Sequence, residues 1–180
     1  VPTRELSTNR LDKLIYKTPK TVDPSDDAGA EGLSLYYCDG LVTVRGNDFY
    51  ENRAPSDDFI EDGGAMDIFG GKGPYIIEGN RAWNQDTFIE TGQHCNNDPN
   101  ASYNVANITF RRNVGWNIRT GVIARAAKNS LFANNTFYGI GGYRLINGQL
   151  ASGQYGWAVH QQQNSRFGGY IDGIKVHNNI

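Results

Sequence analysis

Val42-Thr43-Val44-Arg45-Gly46-Asn47-Asp48-Phe49 decides the fold, because its pattern returns along the chain. Written φ-x-φ-x-x-Asn-x-φ, with φ apolar or small, it reappears at Tyr75–Ala82, Ile108–Gly115 and Ser130–Phe137. A last copy, Ile174–Ile180, is cut short by the chain end. The anchoring residues Asn47, Asn80, Asn113, Asn135 and Asn179 are 33, 33, 22 and 44 residues apart. A unit of roughly 22 residues lengthened by insertions marks a solenoid, and its period-2 alternation makes it a β-solenoid.

Columns through the copies assign the faces. Three residues before each Asn stand Val44, Ile77, Phe110, Phe132 and Val176, an apolar column expected in the core. Two before it stand Arg45, Glu78, Arg111, Ala133 and His177, mostly polar and expected in solvent, since alternate side chains of a strand face opposite sides. Three after it stand Tyr50, Trp83, Trp116 and Tyr138, an aromatic stack. The asparagines are expected to hold a corner: Asn tolerates the left-handed backbone, and its amide both donates and accepts along a ladder. They build the fold and carry no chemistry.

The expected architecture is therefore all-β: a right-handed parallel β-helix of about five coils over residues 32–180, preceded by a leading segment or cap over 1–31. No repeat is read in the leading segment, and Leu11–Tyr16 is expected as a short helix or strand. Val1 without a preceding Met, and Ile180 in mid-coil without a polar cap, read as the limits of a fragment of a longer stack. The Ile174-Lys175-Val176 strand is expected to pair on one side only. An open edge of that kind predicts end-to-end self-association, a capping partner, or missing C-terminal coils.

Composition narrows the function. Of 180 residues 22 are glycine, and the net charge is −2 with mixed signs; no basic stripe marks a nucleic-acid surface. No apolar run is long enough to cross a membrane. Two cysteines give no disulfide framework, and a Cys38–Cys95 bridge requires a loop to fold back across roughly 10 Å between strands two coils apart. Three Asn-x-Ser/Thr sequons, at Asn100, Asn107 and Asn134, arise readily by chance in a chain so rich in Asn.

A second strand column can be aligned through Gly32–Tyr37, Gly64–Asp67, Thr87–Glu90, Val122–Arg125 and Trp157–His160. Tyr36, Met66, Ile89, Ala124 and Val159 then face inward. Tyr37, Asp67, Glu90, Arg125 and His160 form an outer line, one per rung at about 4.8 Å. Asp67, Glu90, Arg125 and His160 are the candidate catalytic residues; Tyr37, Tyr143 and Tyr155, with Trp83 and Trp157, are candidates to stack sugar rings. Insertions at Arg53–Gly63, Gly92–Tyr103 and Gly141–Tyr155 are expected to wall this face. The plain alternative is a solvated charge ladder in which Arg125 offsets a carboxylate. The acidic insertion with Asp57, Asp58, Glu61 and Asp62 reads as solvated loop or calcium site, without EF-hand spacing. His94 and His177 receive no role.

With these coils, Asp62-Gly63-Gly64-Ala65-Met66-Asp67-Ile68-Phe69-Gly70-Gly71 and Asn134-Asn135-Thr136-Phe137, the chain resembles right-handed parallel β-helix repeat proteins of the pectate-lyase-like superfamily, from about Gly32 to Ile180. The resemblance implies the fold and an extracellular or cell-surface setting with a polysaccharide partner; it carries over no catalytic residue. Three functions are expected from it and from the outer line. In a uronan lyase, Arg125 or His160 acts as base or neutraliser, with Asp67 and Glu90 holding Ca²⁺. In a glycoside hydrolase, Asp67 and Glu90 form a carboxylate pair. In a noncatalytic carbohydrate-binding or adhesive segment of a larger surface protein, neither reaction occurs.

Overall fold

In a computed structural model, residues 4–7, 10–12, 30–56, 60–92, 105–140, 144, 148–149, 158–162 and 172–180 are described; for 4–7, 10–12, 54–56, 60–62 and 160–162 this covers the backbone alone. The strands run β1 (Arg4–Ser7), β2 (Arg10–Asp12), β3 (Ala30–Tyr36), β4 (Val42–Arg45), β5 (Asp48–Tyr50), β6 (Ala54–Ser56), β7 (Ile60–Phe69), β8 (Tyr75–Glu78) and β9 (Arg81–Gly92). They continue as β10 (Val105–Ala106), β11 (Ile108–Arg111), β12 (Val114–Arg125), β13 (Ala127–Lys128), β14 (Leu131–Ala133), β15 (Thr136–Tyr138), β16 (Val159–Gln162) and β17 (Lys175–His177). The described residues contain no helix, and so none long and apolar enough to cross a membrane.

Parallel pairing dominates, as a solenoid-like stack requires. One sheet orders β1-β4-β8-β11-β14-β17 and a second β15-β12-β9-β5-β2; β3 and β16 extend the second through β7 and β12. Among the described strands only the β6–β7 pair is antiparallel, where Ala54–Ser56 folds back on Ile60–Asp62. In the first sheet Val44, Ile77, Phe110, Phe132 and Val176 stand directly opposite one another, as the repeat predicts. The first four are fully buried, each contributing about 1.5–3 kcal/mol through removal of apolar surface from water. β17 pairs with β14 at the end of the sheet order.

The leading segment also holds strands. β1 pairs with β4, Leu6 opposite Val44, and β2 with β5, Leu11 opposite Phe49. Arg4-Glu5-Leu6-Ser7-Thr8-Asn9-Arg10-Leu11 is the same motif with Arg4 at its first apolar position, which hid it from the repeat pattern.

The asparagines do hold a corner, with their roles divided differently than expected. Positive φ belongs to the residue before each one: Gly46 (64°), Gly79 (67°), Arg112 (56°), Asn134 (56°) and Asn178 (48°). The anchoring Asn instead turns its amide into a ladder. Asn80 Oδ1 accepts from Asn47 N and Nδ2, both at 3.0 Å, and Asn113 Oδ1 accepts from Asn80 N (2.9 Å) and Nδ2 (3.1 Å). The same pair of bonds joins Asn113 to Asn135 and Asn135 to Asn179. Asn47, Asn80 and Asn113 are fully buried, so the ladder satisfies donors that water cannot reach.

Outside the next strand the aromatic column forms as read. Tyr50–Trp83, Trp83–Trp116 and Trp116–Tyr138 have centroids 4.9, 4.6 and 5.9 Å apart and planes within 6°.

Candidate functional site

The site is the outward face of β3, β7, β9, β12 and β16. Asp67 lies between fully buried Met66 and Ile68, and Glu90 between fully buried Ile89 and Thr91, so alternation turns both carboxylates away from the core. Asp67 stands opposite Glu90, as expected. The rest of the line shifts. Opposite Asp67 on β3 is Ser34; opposite Glu90 on β12 is Ile123, followed by His160 on β16. Tyr37 lies beyond β3, and Arg125 is two residues past Ile123.

The inward column shifts correspondingly. Leu33, not Tyr36, faces Met66, and Val122, not Ala124, stands between Ile89 and Val159. Tyr36 is 47% exposed. Ala124 is buried, but in the next inward column, opposite Thr91.

The face is thus two columns wide. One reads Ser34, Asp67, Glu90, Ile123, His160; the other reads Tyr36, Phe69, Gly92 and then, continuing the register one residue past Ala124–Thr91, Arg125 and Gln162. A two-residue displacement keeps a side chain on the same face, so Arg125 still points outward and its Nη1 pairs with Glu90 Oε1 diagonally across the columns. Gly92 makes room: a Cβ there would lie 2.5 Å from Phe69 Cε1, so the Phe69 ring rests over the glycine. Tyr36 packs on Phe69 with centroids 5.8 Å apart and a 32° tilt. Partial burial raises the Tyr36 phenol above its ordinary pKa, and the charge of Asp67 raises it further.

Of the other expected site residues, His160 lies in the Asp67–Glu90 column two rungs from Glu90, with only its backbone described. Tyr143, Tyr155 and Trp157 lie outside the described residues. Trp83 is corrected: Tyr50 and Trp116 cover both faces of its indole, leaving none for a sugar. Asp57, Asp58 and His94 are outside the described residues, and among those described no three His, Cys, Asp or Glu side chains converge on a metal position. Cys38 is a buried free thiol; Cys95 lies outside the described residues.

One charged cluster escaped the sequence reading. Arg53, Asp86 and Arg119 each stand six residues after an anchoring Asn, a fixed offset that would have revealed them. Asp86 is 2% exposed; Arg119 Nη2 donates to its Oδ2 at 2.6 Å, while Arg119 Nε stands 2.5 Å from Oδ1 as an ion-pair contact without hydrogen-bond geometry. Arg53 donates to the Arg144 carbonyl oxygen at 2.7 Å, fixing one point of the 141–155 insertion. Burial and ion pairing make Asp86–Arg119 a brace of the bend, since breaking such a pair strands a charge.

Beyond β3 the chain turns through residues 37–41. Tyr37 N donates to Phe69 O (3.0 Å), Gly73 N to Cys38 O (3.0 Å) and Lys72 N to Asp39 Oδ1 (2.8 Å). The fully buried Tyr75 hydroxyl lies 3.1 Å from both the Cys38 and Gly70 carbonyl oxygens and shares its proton between them. Burial pushes that phenol well above its ordinary pKa. These bonds fix a pocket lined by residues 36–42, next to the carboxylate column.

No family model, curated protein or solved structure matches the chain.

Proposed function

We propose that the chain acts on a polysaccharide and that Asp67 and Glu90 cleave its glycosidic bond by hydrolysis. The observation carrying this reading is the Asp67–Glu90 register. Adjacent rungs place the backbones about 4.8 Å apart, which suits two carboxyls at the roughly 5–5.5 Å separation of retaining glycosidases. The Arg125 guanidinium favours Glu90 as an ionised carboxylate. Glu90 then attacks the anomeric carbon while a protonated Asp67 gives its proton to the departing glycosidic oxygen. In the second half, Asp67 takes a proton from water, whose oxygen displaces Glu90 and releases the sugar. Arg125, engaged by Glu90, is less suited to neutralise a uronate or act as the base of a lyase, so hydrolysis moves ahead of elimination.

The same reading takes the solenoid as right-handed, of about five coils and of the pectate-lyase-like kind, and places the protein outside the cell with its polymeric substrate. In-register parallel stacking and the internal asparagine ladder support the architecture.

Reducing-end release is measured across neutral and acidic polysaccharides, with calcium supplied. Glu90→Gln should abolish release, while Asp67→Asn should lower it and flatten the alkaline limb of its pH profile, where the general acid would lose its proton. Release unchanged in both variants removes the pair. Products absorbing in the near ultraviolet would establish the lyase instead, and glycan binding without turnover the noncatalytic module.

A further inference from the structure

We propose that Tyr36, Tyr37 and the pocket lined by residues 36–42 form a subsite for a neutral pyranose unit of the same glycan whose bond lies over Asp67 and Glu90. This rests on the polysaccharide reading above and adds a second contact region with its own selectivity.

Tyr36 and Tyr37 are 47% and 46% exposed, two adjacent rings open to solvent in a chain that fully buries Tyr75. Phe69 braces the first ring. The second is held by an unusual backbone: Tyr37 has φ 50°, a conformation costly for a bulky side chain. Its ring lies over Gly70, where a Cβ would come 2.7 Å from Tyr37 Cδ1. The turn behind both rings is pinned to the next rung by the bonds of Tyr37, Cys38, Asp39 and Tyr75. A preformed concavity with aromatic walls and a few polar groups is how small-molecule sites are built. Tyrosine offers an apolar face to sugar C–H groups and a hydroxyl to their oxygens.

Charge sets the choice of sugar. Asp39 stands in the pocket wall, Asp67 is the diagonal neighbour of Tyr36, and both Asp67 and Glu31 act electrostatically on the Tyr36 phenol. A uronate carboxylate here would meet anions, whereas hydroxyl groups would find acceptors. Continuity fixes the path: Tyr36 borders both the pocket and the Asp67 column, so a glycan over the carboxylates extends past Tyr36 into the turn.

Saturation-transfer NMR tests this with methyl β-D-glucopyranoside, methyl β-D-galactopyranoside and methyl α-D-galactopyranosiduronate. Wild type should transfer saturation to the neutral glycosides and markedly less to the uronate. Tyr36→Ala should weaken the signal about fivefold, the scale of one lost aromatic contact, and Tyr36→Phe should retain it. Glu90→Gln should bind like wild type, which separates failure of the catalytic reading from failure of the subsite. No transfer to any neutral glycoside, an equal signal in folded Tyr36→Ala, or preference for the uronate would overturn the proposal.

Discussion

Arg125 reaches Glu90 diagonally, from a position that stands opposite a residue with no side chain. Gly92 leaves that place open, the Phe69 ring settles over it, and the guanidinium closes on the carboxylate two residues earlier in β9. Gly92→Ala should therefore disturb the face without straining the backbone. Displacing Phe69 should cost about 1–3 kcal/mol of stability, seen as a lower urea midpoint. Turnover should fall more than in a surface glycine control. Unchanged midpoint and activity would show that the face tolerates a filled position.

Asn80 is bonded on both sides, so its removal strands several buried groups together. Asn80→Ala leaves Asn47 N–H and Nδ2 without their acceptor and the Val44 carbonyl without the Asn80 amide. The expected loss is about 3 kcal/mol or more. Asn178→Ala, on the exposed neighbour of an anchor, should cost far less. Equal losses would argue against the ladder as a principal support.

Glu78 gives a pH signature. The hydrogen bond from Arg111, opposed by partial burial and aided by the charges of Arg111, Arg45 and Arg112, holds its carboxyl below the ordinary value. Arg111 Nε is 2.6 Å from Oε2 and Arg45 Nε 2.8 Å from Oε1. A depressed folded pKa means stability present above the unfolded value of about 4.3 and lost as pH falls through the folded one. Glu78→Gln should thus be less stable than wild type by about 0.5–1 kcal/mol at neutral pH, with partial exposure keeping the effect small. The gap should close in acid; a gap constant with pH would contradict the assignment.

Trp83 and Trp116 lie parallel with centroids 4.6 Å apart, close enough for their excited states to couple. Wild type should show an exciton couplet in circular dichroism that vanishes in Trp83→Phe. Trp83→Ala should also lose about 3 kcal/mol, by analogy with other aromatic truncations. A couplet surviving Trp83→Phe would refute the stacked geometry.

The parts of the fold legible in the sequence are those at fixed offsets from an anchoring Asn. Val44, Ile77, Phe110 and Phe132 align without error because no insertion falls between them and the corner. The second strand column has no such marker, and insertions of unequal length precede it. Asp67 and Glu90 were matched correctly, but Arg125 slipped by two residues and Tyr37 by three from Ser34. An even slip keeps the face, so Arg125 remained in the site. An odd slip inverts it, which is why Tyr36 was read as core although it is exposed. Asp86 and Arg119 stand at a constant offset from their anchors, but a polar pair carries no periodic apolar signal to mark it.

The one-way order of the asparagine bonds makes the stack modular. Each rung presents an amide oxygen to its predecessor and the same two donors to its successor, and Asn47, Asn80 and Asn113 are spaced by equal lengths of 33 residues. The stretch from Arg81 to Asn113 is therefore a cassette with matching ends. A second copy inserted in tandem meets the partners that the original meets, lengthening the rod by one layer of about 4.8 Å. Its outer face would repeat Glu90 but not Arg125, giving a protein whose carboxylate column can be extended by copying rather than redesigned.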